Sequence, residues 1–262
     1  MLKSTAEKLD FEWDLCHGPI QSERFGNFVD VNPLGKEKVC SFDCSYCNLG
    51  PSYLRMNKIK KEYEFPSVAE IEDSVRTVLR AARANNENIN RILVSGNGDA
   101  SLYPNLGDLA KMLKRVRDDI YPDVPVEILT NGAKIDTRKS IEAINQFEKV
   151  YVKLDAGSDS VLKQVNTPLV RTTISQIISS CRKIDNLVIQ SIFVNGVVDN
   201  TTDSEVEEWI ESISLIEPKE VQLYTLTDAA QVPGVEKADE NRIYYIASIL
   251  ERKKKIKTSV FT

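Results

Sequence analysis

The chain has 262 residues, 42% of them hydrophobic and 28% charged, which suits one large globular α/β domain or two small ones. Its net charge of −5 argues mildly against a large polyanionic partner, because nucleic-acid binders usually carry a basic face. No apolar run is long enough to span a bilayer, and the first residues lack the apolar core of a signal peptide, so we expect a cytoplasmic protein with no membrane partner.

Strand-like and helix-like segments alternate along the chain. A short strand is predicted at 27–31, ahead of a cysteine-rich loop, and a helix at 67–85, where Ser67 and Glu70 have the spacing of a capping box. The later segments repeat this order. The predicted strands are 91–96, 126–132, 149–157, 187–196, 220–226 and possibly 257–261, and the predicted helices are 105–120, 137–147, 158–166, 172–184, 202–216 and 239–255.

This alternation amounts to about six β/α units, which implies a parallel sheet with right-handed crossovers. Six units are too few for a closed barrel of eight. We therefore predict an α/β fold, a partial (β/α)6 TIM-type barrel with a mainly parallel sheet; a doubly wound open sheet is the alternative. One domain is expected over 1–262, with an N-terminal extension (1–27), a core (28–226) and a C-terminal part (227–262) that holds the last helix and possible strand.

Four polar, glycine-bearing segments end or directly follow the predicted strands, at 95–101, 129–132, 153–158 and 194–196. In parallel β/α folds, ligands bind at the carboxyl ends of the strands. The cysteine loop also follows a strand. We therefore expect all of these segments to converge on one mouth of the barrel.

Cys40, Cys44 and Cys47 lie within eight residues, spaced C-x₃-C-x₂-C. Disulfides need pairs, and structural zinc sites usually have four ligands. Thiolates at such short spacing favour an iron–sulfur cluster or zinc. Three ligands to a [4Fe–4S] cluster would leave one iron open to another molecule. The alternative is a non-enzymatic module in which these cysteines and His17 hold a structural zinc.

The cysteine loop, joined to the segment SGNGDASLYPNL at 95–106, resembles the radical S-adenosylmethionine (SAM) superfamily. The stretches HGPIQSERFG and VNPLGKEKVCSFDCSYCNLGP narrow the resemblance to its wyosine-synthase-like branch. The likeness implies an enzyme with two cofactors, a [4Fe–4S] cluster and SAM. Such an enzyme cleaves SAM to a 5′-deoxyadenosyl radical, which abstracts hydrogen from a substrate. The likeness also implies an electron donor such as flavodoxin or ferredoxin.

The resemblance further implies which residues contact SAM, with the three cysteines holding the cluster. The candidates are Tyr46, Gly96, Asn97, Gly98, Asp99, Asn131, Asp155 and Ser191. The glycines would let the backbone approach the methionine part closely, and Asp99 could accept a hydrogen bond from its ammonium group. Asn131 and Asp155 also fit ordinary turns. Lys153 is a weak catalytic candidate that could hold a substrate carboxylate or phosphate.

The chain departs from wyosine synthase at its remaining cysteines. That enzyme carries a second cluster on three further cysteines, and this chain has only Cys16 and Cys181 besides the motif. Modification of a tRNA base is therefore kept as an alternative, and nucleic acid as a possible but not favoured partner. The expected substrate is a small molecule or a modified nucleotide. His17, the only histidine, is either an acid–base group or a packed loop residue.

Overall fold

The computed structural model describes residues 14–52, 63–227 and 229–262, which fold around one eight-stranded sheet. Its strands are β1 (Cys16–Ser22), β2 (Gly26–Val31), β3 (Arg91–Val94), β4 (Val126–Thr130), β5 (Lys149–Lys153), β6 (Leu187–Ile192), β8 (Glu220–Tyr224) and β10 (Lys257–Phe261). Two short strands, β7 (Val194–Gly196) and β9 (Val235–Lys237), form a separate antiparallel ribbon.

The helices between the strands begin where their caps predict. They are α1 (Val68–Ala84), α2 (Leu106–Ile120), α3 (Arg138–Ile144), α4 (Asp159–Val165), α5 (Ile174–Cys181), α6 (Asp203–Ile216) and α7 (Glu240–Lys254), with a 3₁₀ turn at Ala100–Leu102. Ser67 and Glu70 form the predicted capping box of α1. Thr202 caps α6, but Glu205 does not complete a box, because its carboxylate accepts the Gly157 N–H instead.

The strand order decides between the two predicted architectures. From β2 onward each strand pairs in parallel with the next one in the order β2-β3-β4-β5-β6-β8-β10, and β1 pairs antiparallel with β2. A doubly wound sheet would reverse its order at a switch point, and this one does not. The partial barrel with six β/α crossovers is confirmed.

The two faces of the sheet alternate along each strand. Val29 and Ile92 belong to the large core on the helix side, whereas Leu93, Tyr151 and Val188 form a smaller apolar cluster on the other, inner face. Beyond this cluster the inner face carries polar side chains such as Gln190, Gln222 and Lys153, which lead toward the carboxyl ends of the strands. None of the helices in the described ranges is both long and apolar enough to cross a membrane.

Three elements differ from the sequence prediction, and one of them is β9, where no strand was expected. β1 was not expected, because Gly18 and Pro19 interrupt its strand pattern. The strand predicted over 187–196 is two strands, β6 and β7, which are separated at Phe193. The Phe193 N–H makes a last hydrogen bond to β8, at the Tyr224 carbonyl (2.8 Å), and its ring packs edge-on against Trp209. The segment after this break therefore joins the β7–β9 ribbon.

Candidate active site

A cavity of about 230 Å³, here called the cofactor cavity, lies at the carboxyl ends of the first parallel strands. All three motif cysteines line it, and so do four of the eight candidate SAM contacts. The lining includes Cys40, Cys44, Cys47, Tyr46, Gly96, Gly98, Thr130, Asn131, Lys153, Asn166 and Tyr224. The polar segments after β3, β4 and β5 thus lie together with the cysteine loop.

The start of the cysteine loop is fixed against the glycine segment by backbone hydrogen bonds. The Val39 N–H donates to the Asn97 carbonyl (2.8 Å), and the Asp99 N–H donates to the Val39 carbonyl (2.9 Å). Gly98 adopts a φ of 135°, and a Cβ there would lie 2.1 Å from the Val39 carbonyl oxygen. Only glycine fits this contact, so Gly98 allows the loop and the strand end to form one cradle.

Burial keeps two of the three thiols protonated in the metal-free protein. It raises the pKa of Cys44 to about 11 and that of Cys40 still further. N–H groups point at both sulfurs: Asn131 Nδ2 lies 3.6 Å from Cys40 Sγ, and Asn166 Nδ2 lies 3.4 Å from Cys44 Sγ. Metal ligands must be deprotonated, so loading this site would release protons.

The thiol arrangement also bears on the zinc alternative. Within the described ranges, no three side chains of the Cys, His, Asp and Glu types are grouped so that they could hold one metal ion. A zinc ion needs its ligands within about 2.0–2.3 Å, whereas a cluster with several irons takes one thiolate at each iron. Cys40, Cys44 and Cys47 line one cavity, so each thiolate could bind a different iron of one cluster.

Asp99 lies behind the cavity wall rather than in it. Its Oδ1 accepts hydrogen bonds from the hydroxyls of Thr130 (2.7 Å) and Ser101 (2.9 Å). Its Oδ2 is buried and has no hydrogen-bond partner among the described residues. Burial raises the pKa of this carboxyl group, although the hydrogen bonds oppose that effect. A buried acceptor without a donor costs free energy.

Asn97 has a structural role in the same segment. Its side-chain amide donates to the Gly35 carbonyl (2.8 Å), and its own N–H donates to Asn32 Oδ1 (3.1 Å). It holds the loop after β2 in place and does not line the cofactor cavity.

Asp155 is the most heavily bonded carboxylate behind the cavity. Its Oδ1 lies 2.8 Å from Lys153 Nζ and accepts the Ile192 N–H (3.0 Å). Its Oδ2 accepts from the Tyr46 hydroxyl (2.5 Å) and from Asn166 Nδ2 (2.7 Å). Both oxygens are therefore engaged within the protein. Asp155 positions the lysine, tyrosine and asparagine that line the cavity.

Tyr46 and Lys153 keep their protons in this environment. Burial, reinforced by the charge of Asp155, raises the pKa of Tyr46 well above its usual value. Burial alone lowers the pKa of Lys153, but the carboxylate of Asp155 and the hydroxyl of Tyr224 outweigh it and leave the pKa raised. The wall of the cavity thus carries a neutral phenol and an ammonium ion.

Ser191 lies on the helix side of the sheet. Its hydroxyl donates to the Leu154 carbonyl (2.5 Å) and accepts from the indole N–H of Trp209 (3.1 Å). It is completely buried and does not line the cofactor cavity. The residue fixes the packing of α6 on the sheet.

The remaining cysteines and the histidine also lie outside the cofactor cavity. Cys16 and Cys181 are buried in the core, where burial raises both pKa values, that of Cys181 to about 12. His17 lies on β1, with Nε2 3.7 Å from Asp30 Oδ2. This placement gives no support to a zinc site shared by His17 and the loop cysteines.

Sequence reasoning missed several residues of the site, among them Thr130, Asn166 and Tyr224. Tyr224 ends β8, so the rule that polar strand ends converge could have found it. Asn166 follows a short helix far along the chain, and no local pattern marks it. Its contacts with Cys44 and Asp155 exist only after the chain folds.

The chain belongs to the radical SAM superfamily, whose sequence profile matches residues 38–213, and it is an enzyme of that class. It is similar to UPF0026 protein slr1464 from Synechocystis sp., with 26% identity over 208 residues, covering 79% of this chain and 73% of the relative. Four further curated relatives are longer, and the chain spans 32% to 59% of their length.

Solved structures show the same fold. One is a radical SAM methyltransferase from Sphaerobacter thermophilus, with a TM-score of 0.66 and 19% identity over 89% of this chain and 65% of the other. Another is TYW1 with a lysine–pyruvate adduct bound, with a TM-score of 0.64 and 13% identity over 87% of this chain and 75% of the other. At these identities the likeness establishes the fold alone.

Proposed function

We propose that Cys40, Cys44 and Cys47 hold a [4Fe–4S] cluster and that SAM binds beside it in the cofactor cavity. The observation that supports this proposal is the shared lining, in which the three thiols face Gly96, Gly98 and the end of β4. When bound, the reduced cluster and SAM would supply a 5′-deoxyadenosyl radical able to abstract hydrogen from a substrate.

The residues around the thiols fit a negatively polarised sulfur site. The side-chain amides of Asn131 and Asn166 already donate toward Cys40 and Cys44. Hydrogen bonds to cluster sulfurs help to set the reduction potential. We propose that these two asparagines tune the site as well as shape it.

The glycine segment and Asp99 fit the amino-acid part of SAM. Gly96 and Gly98 expose backbone at the wall, because both adopt positive φ angles and lack side chains. Asp99 adds a buried carboxylate with one unpartnered oxygen directly behind Gly98. We propose that the segment binds the polar end of SAM, with Asp99 supplying negative charge near its ammonium group.

Lys153 is proposed to act as a cation rather than as a nucleophile. The lysine–pyruvate adduct seen in TYW1 requires an unprotonated amine at the moment it forms. Here the ion pair with Asp155 (2.8 Å) favours the ammonium form. We therefore assign Lys153 to electrostatic positioning and not to covalent catalysis.

The reducing electron must come from another molecule. We propose a small electron-transfer protein such as flavodoxin or ferredoxin as the donor, since both deliver single electrons at low potential. The cytoplasm, where thiols stay reduced, is the compartment that this chemistry favours.

The test is formation of 5′-deoxyadenosine by the anaerobically reconstituted protein with SAM and dithionite. The Cys44→Ala variant should lose both the iron and the product, because it removes a proposed ligand. Cys181→Ala is the matched control, since it deletes a buried thiol outside the cavity, and it should retain both. Equal iron content in the two variants would contradict the proposed ligand set.

A further inference from the structure

A second cavity, here called the outer chamber, adjoins the cofactor cavity. It encloses about 300 Å³ and shares Tyr46 and Tyr224 with the cofactor cavity. The turn between β1 and β2 contributes Arg24, and the segment after β8 contributes Thr225 and Leu226. Ligand pockets usually enclose roughly 300–1,000 Å³, so the outer chamber is of a size for a small molecule.

Arg24 is the cation that the outer chamber presents. It is half-buried, and its guanidinium carbon lies 4.0 Å from the centroid of the Tyr224 ring and 5.5 Å from that of Phe25. Among the described residues, no carboxylate forms an ion pair with it. Glu23, the other charged side chain of the lining, is exposed, and Thr262, the last residue of the sequence, also lines the chamber.

The two cations of the cofactor cavity, unlike Arg24, are each close to a carboxylate. Lys153 Nζ lies 2.8 Å from Asp155 Oδ1, and Lys38 Nζ lies 3.5 Å from Asp43 Oδ1. Each of these charges is offset by a carboxylate of the protein. Among the described residues that line these two cavities, Arg24 is the cation whose charge is not offset by a carboxylate of the protein.

Stacking on an aromatic ring leaves the edges of a guanidinium group available. The ring contacts the face of the planar group, while the N–H donors lie in its plane. Carboxylate and phosphate groups match this edge with two parallel hydrogen bonds. Tyr224 therefore orients Arg24 without consuming the donors that would bind an anion.

We propose that the outer chamber is the substrate site and that the substrate is a small organic anion whose carboxylate or phosphate group binds Arg24. This inference rests on the proposed function, because it takes the cofactor cavity as the SAM site. Tyr46 and Tyr224 belong to both cavities, so a molecule anchored at Arg24 reaches the cofactors across these two rings.

The test is a ligand-detected NMR titration of the reconstituted, SAM-loaded protein with three probes. Benzoate and phenyl phosphate carry the two candidate anions, and benzamide is the neutral analogue of benzoate. We expect dissociation constants on the order of 1 mM for the better anion and at least tenfold weaker binding of benzamide. The anion that binds more tightly identifies the group that the site takes.

Substitution of Arg24 gives the second arm of the test. Arg24→Gln should raise the dissociation constant of the bound anion at least tenfold, and Arg24→Lys should raise it less, since it keeps the charge but loses the paired donors. Arg138→Gln, which removes an exposed arginine of α3 that pairs with Glu142, should change nothing. If Arg24→Gln fails to fold, Arg24→Lys and the comparison of benzamide with benzoate still test whether Arg24 binds the anion.

Two results would overturn the inference: benzamide binding as tightly as benzoate and phenyl phosphate, or anion binding that is unchanged in Arg24→Gln. Failure of the proposed function looks different. In that case the protein would form no 5′-deoxyadenosine, while anion binding at Arg24 would be measured as before.

Discussion

Lys153 and Asp155 form a buried ion pair at the inner edge of the cofactor cavity, with Nζ and Oδ1 2.8 Å apart. The two residues stand two positions apart in the sequence, and Asp155 also holds Tyr46 and Asn166. One carboxylate thereby fixes three side chains of the cavity wall. Asp155 therefore positions the side chains of this wall, and its contact with SAM stays a prediction.

Replacing Asp155 should strongly destabilise the folded protein. Asp155→Asn leaves the Lys153 ammonium buried without a counter-charge, and loss of one partner of a buried pair costs about 3–5 kcal/mol. Urea unfolding of the metal-free protein measures this loss. The control is Asp203→Asn, which removes an exposed partner of Arg242 and should cost at most about 1 kcal/mol. Similar losses in the two variants would show that the buried pair has no special importance.

Gly98 should tolerate no side chain. In Gly98→Ala, the added Cβ would meet the Val39 carbonyl oxygen at 2.1 Å, at a backbone φ of 135°. We expect a loss of at least about 2 kcal/mol in the free energy of unfolding and failure to retain iron. In Gly107→Ala, in α2, the added Cβ would meet the end of the Gln146 side chain at 3.0 Å and the Ala143 Cβ at 3.7 Å, and the change should be neutral or slightly stabilising. Normal iron retention in Gly98→Ala would show that the close contact between Gly98 and Val39 is not needed to hold the cluster.

The buried carboxyl of Asp99 should make stability depend on pH. Burial raises its folded-state pKa, so its contribution to stability is complete below the ordinary pKa of about 3.9 and is lost as pH rises through the folded value. Asp99→Asn removes this loss. The variant should therefore gain stability relative to the wild type as pH rises from 4 to 8, in urea unfolding of the metal-free protein.

Glu70 provides a control, because its pKa is lowered in the folded protein instead of raised. Its hydrogen bonds with Ser67 lower its pKa, so its contribution is present above the ordinary carboxyl pKa and is lost as pH falls through the lowered value. Glu70→Gln should therefore lose stability relative to the wild type at neutral pH and approach it in acid. If both variants moved in the same direction with pH, the assignment for Asp99 would be wrong.

Asn131 and Ser191, two of the candidate SAM contacts, should differ in how their replacement affects SAM binding. Asn131 lines the cofactor cavity, so Asn131→Ala should weaken SAM binding about tenfold or more, as loss of a buried hydrogen-bonding group does. Ser191 is buried against Trp209, so Ser191→Ala should cost about 1 kcal/mol of stability and leave the SAM dissociation constant unchanged. Equilibrium dialysis with labelled SAM measures both. Weaker SAM binding in Ser191→Ala would restore the sequence-based assignment.

Much of the fold follows from local patterns in the sequence. The capping residue Ser67, the alternation of strands and helices, and the three closely spaced cysteines are all features that short segments determine by themselves. The strand-end rule placed Gly96, Gly98 and Asn131 near the cysteines because parallel strands end at one edge.

The sequence is least informative where contacts between distant segments determine the position of a side chain. Ser191 stands at a strand position whose side chain points to the helices, and a shift of one residue would reverse that face. Asp155 is occupied by partners from the cysteine loop and from Asn166, which no local pattern connects. β1 was not predicted because Gly18 and Pro19 interrupt its strand pattern. An edge strand tolerates this irregularity because it pairs with only one neighbour.

The most direct test of the account is electron paramagnetic resonance of the reconstituted, dithionite-reduced protein before and after addition of SAM, with iron, sulfide and zinc measured on the same sample. We expect about four irons per chain. We also expect the signal of the reduced cluster to change when SAM is added, because one iron has no cysteine ligand. Zinc in place of iron, or a cluster signal indifferent to SAM, would contradict it.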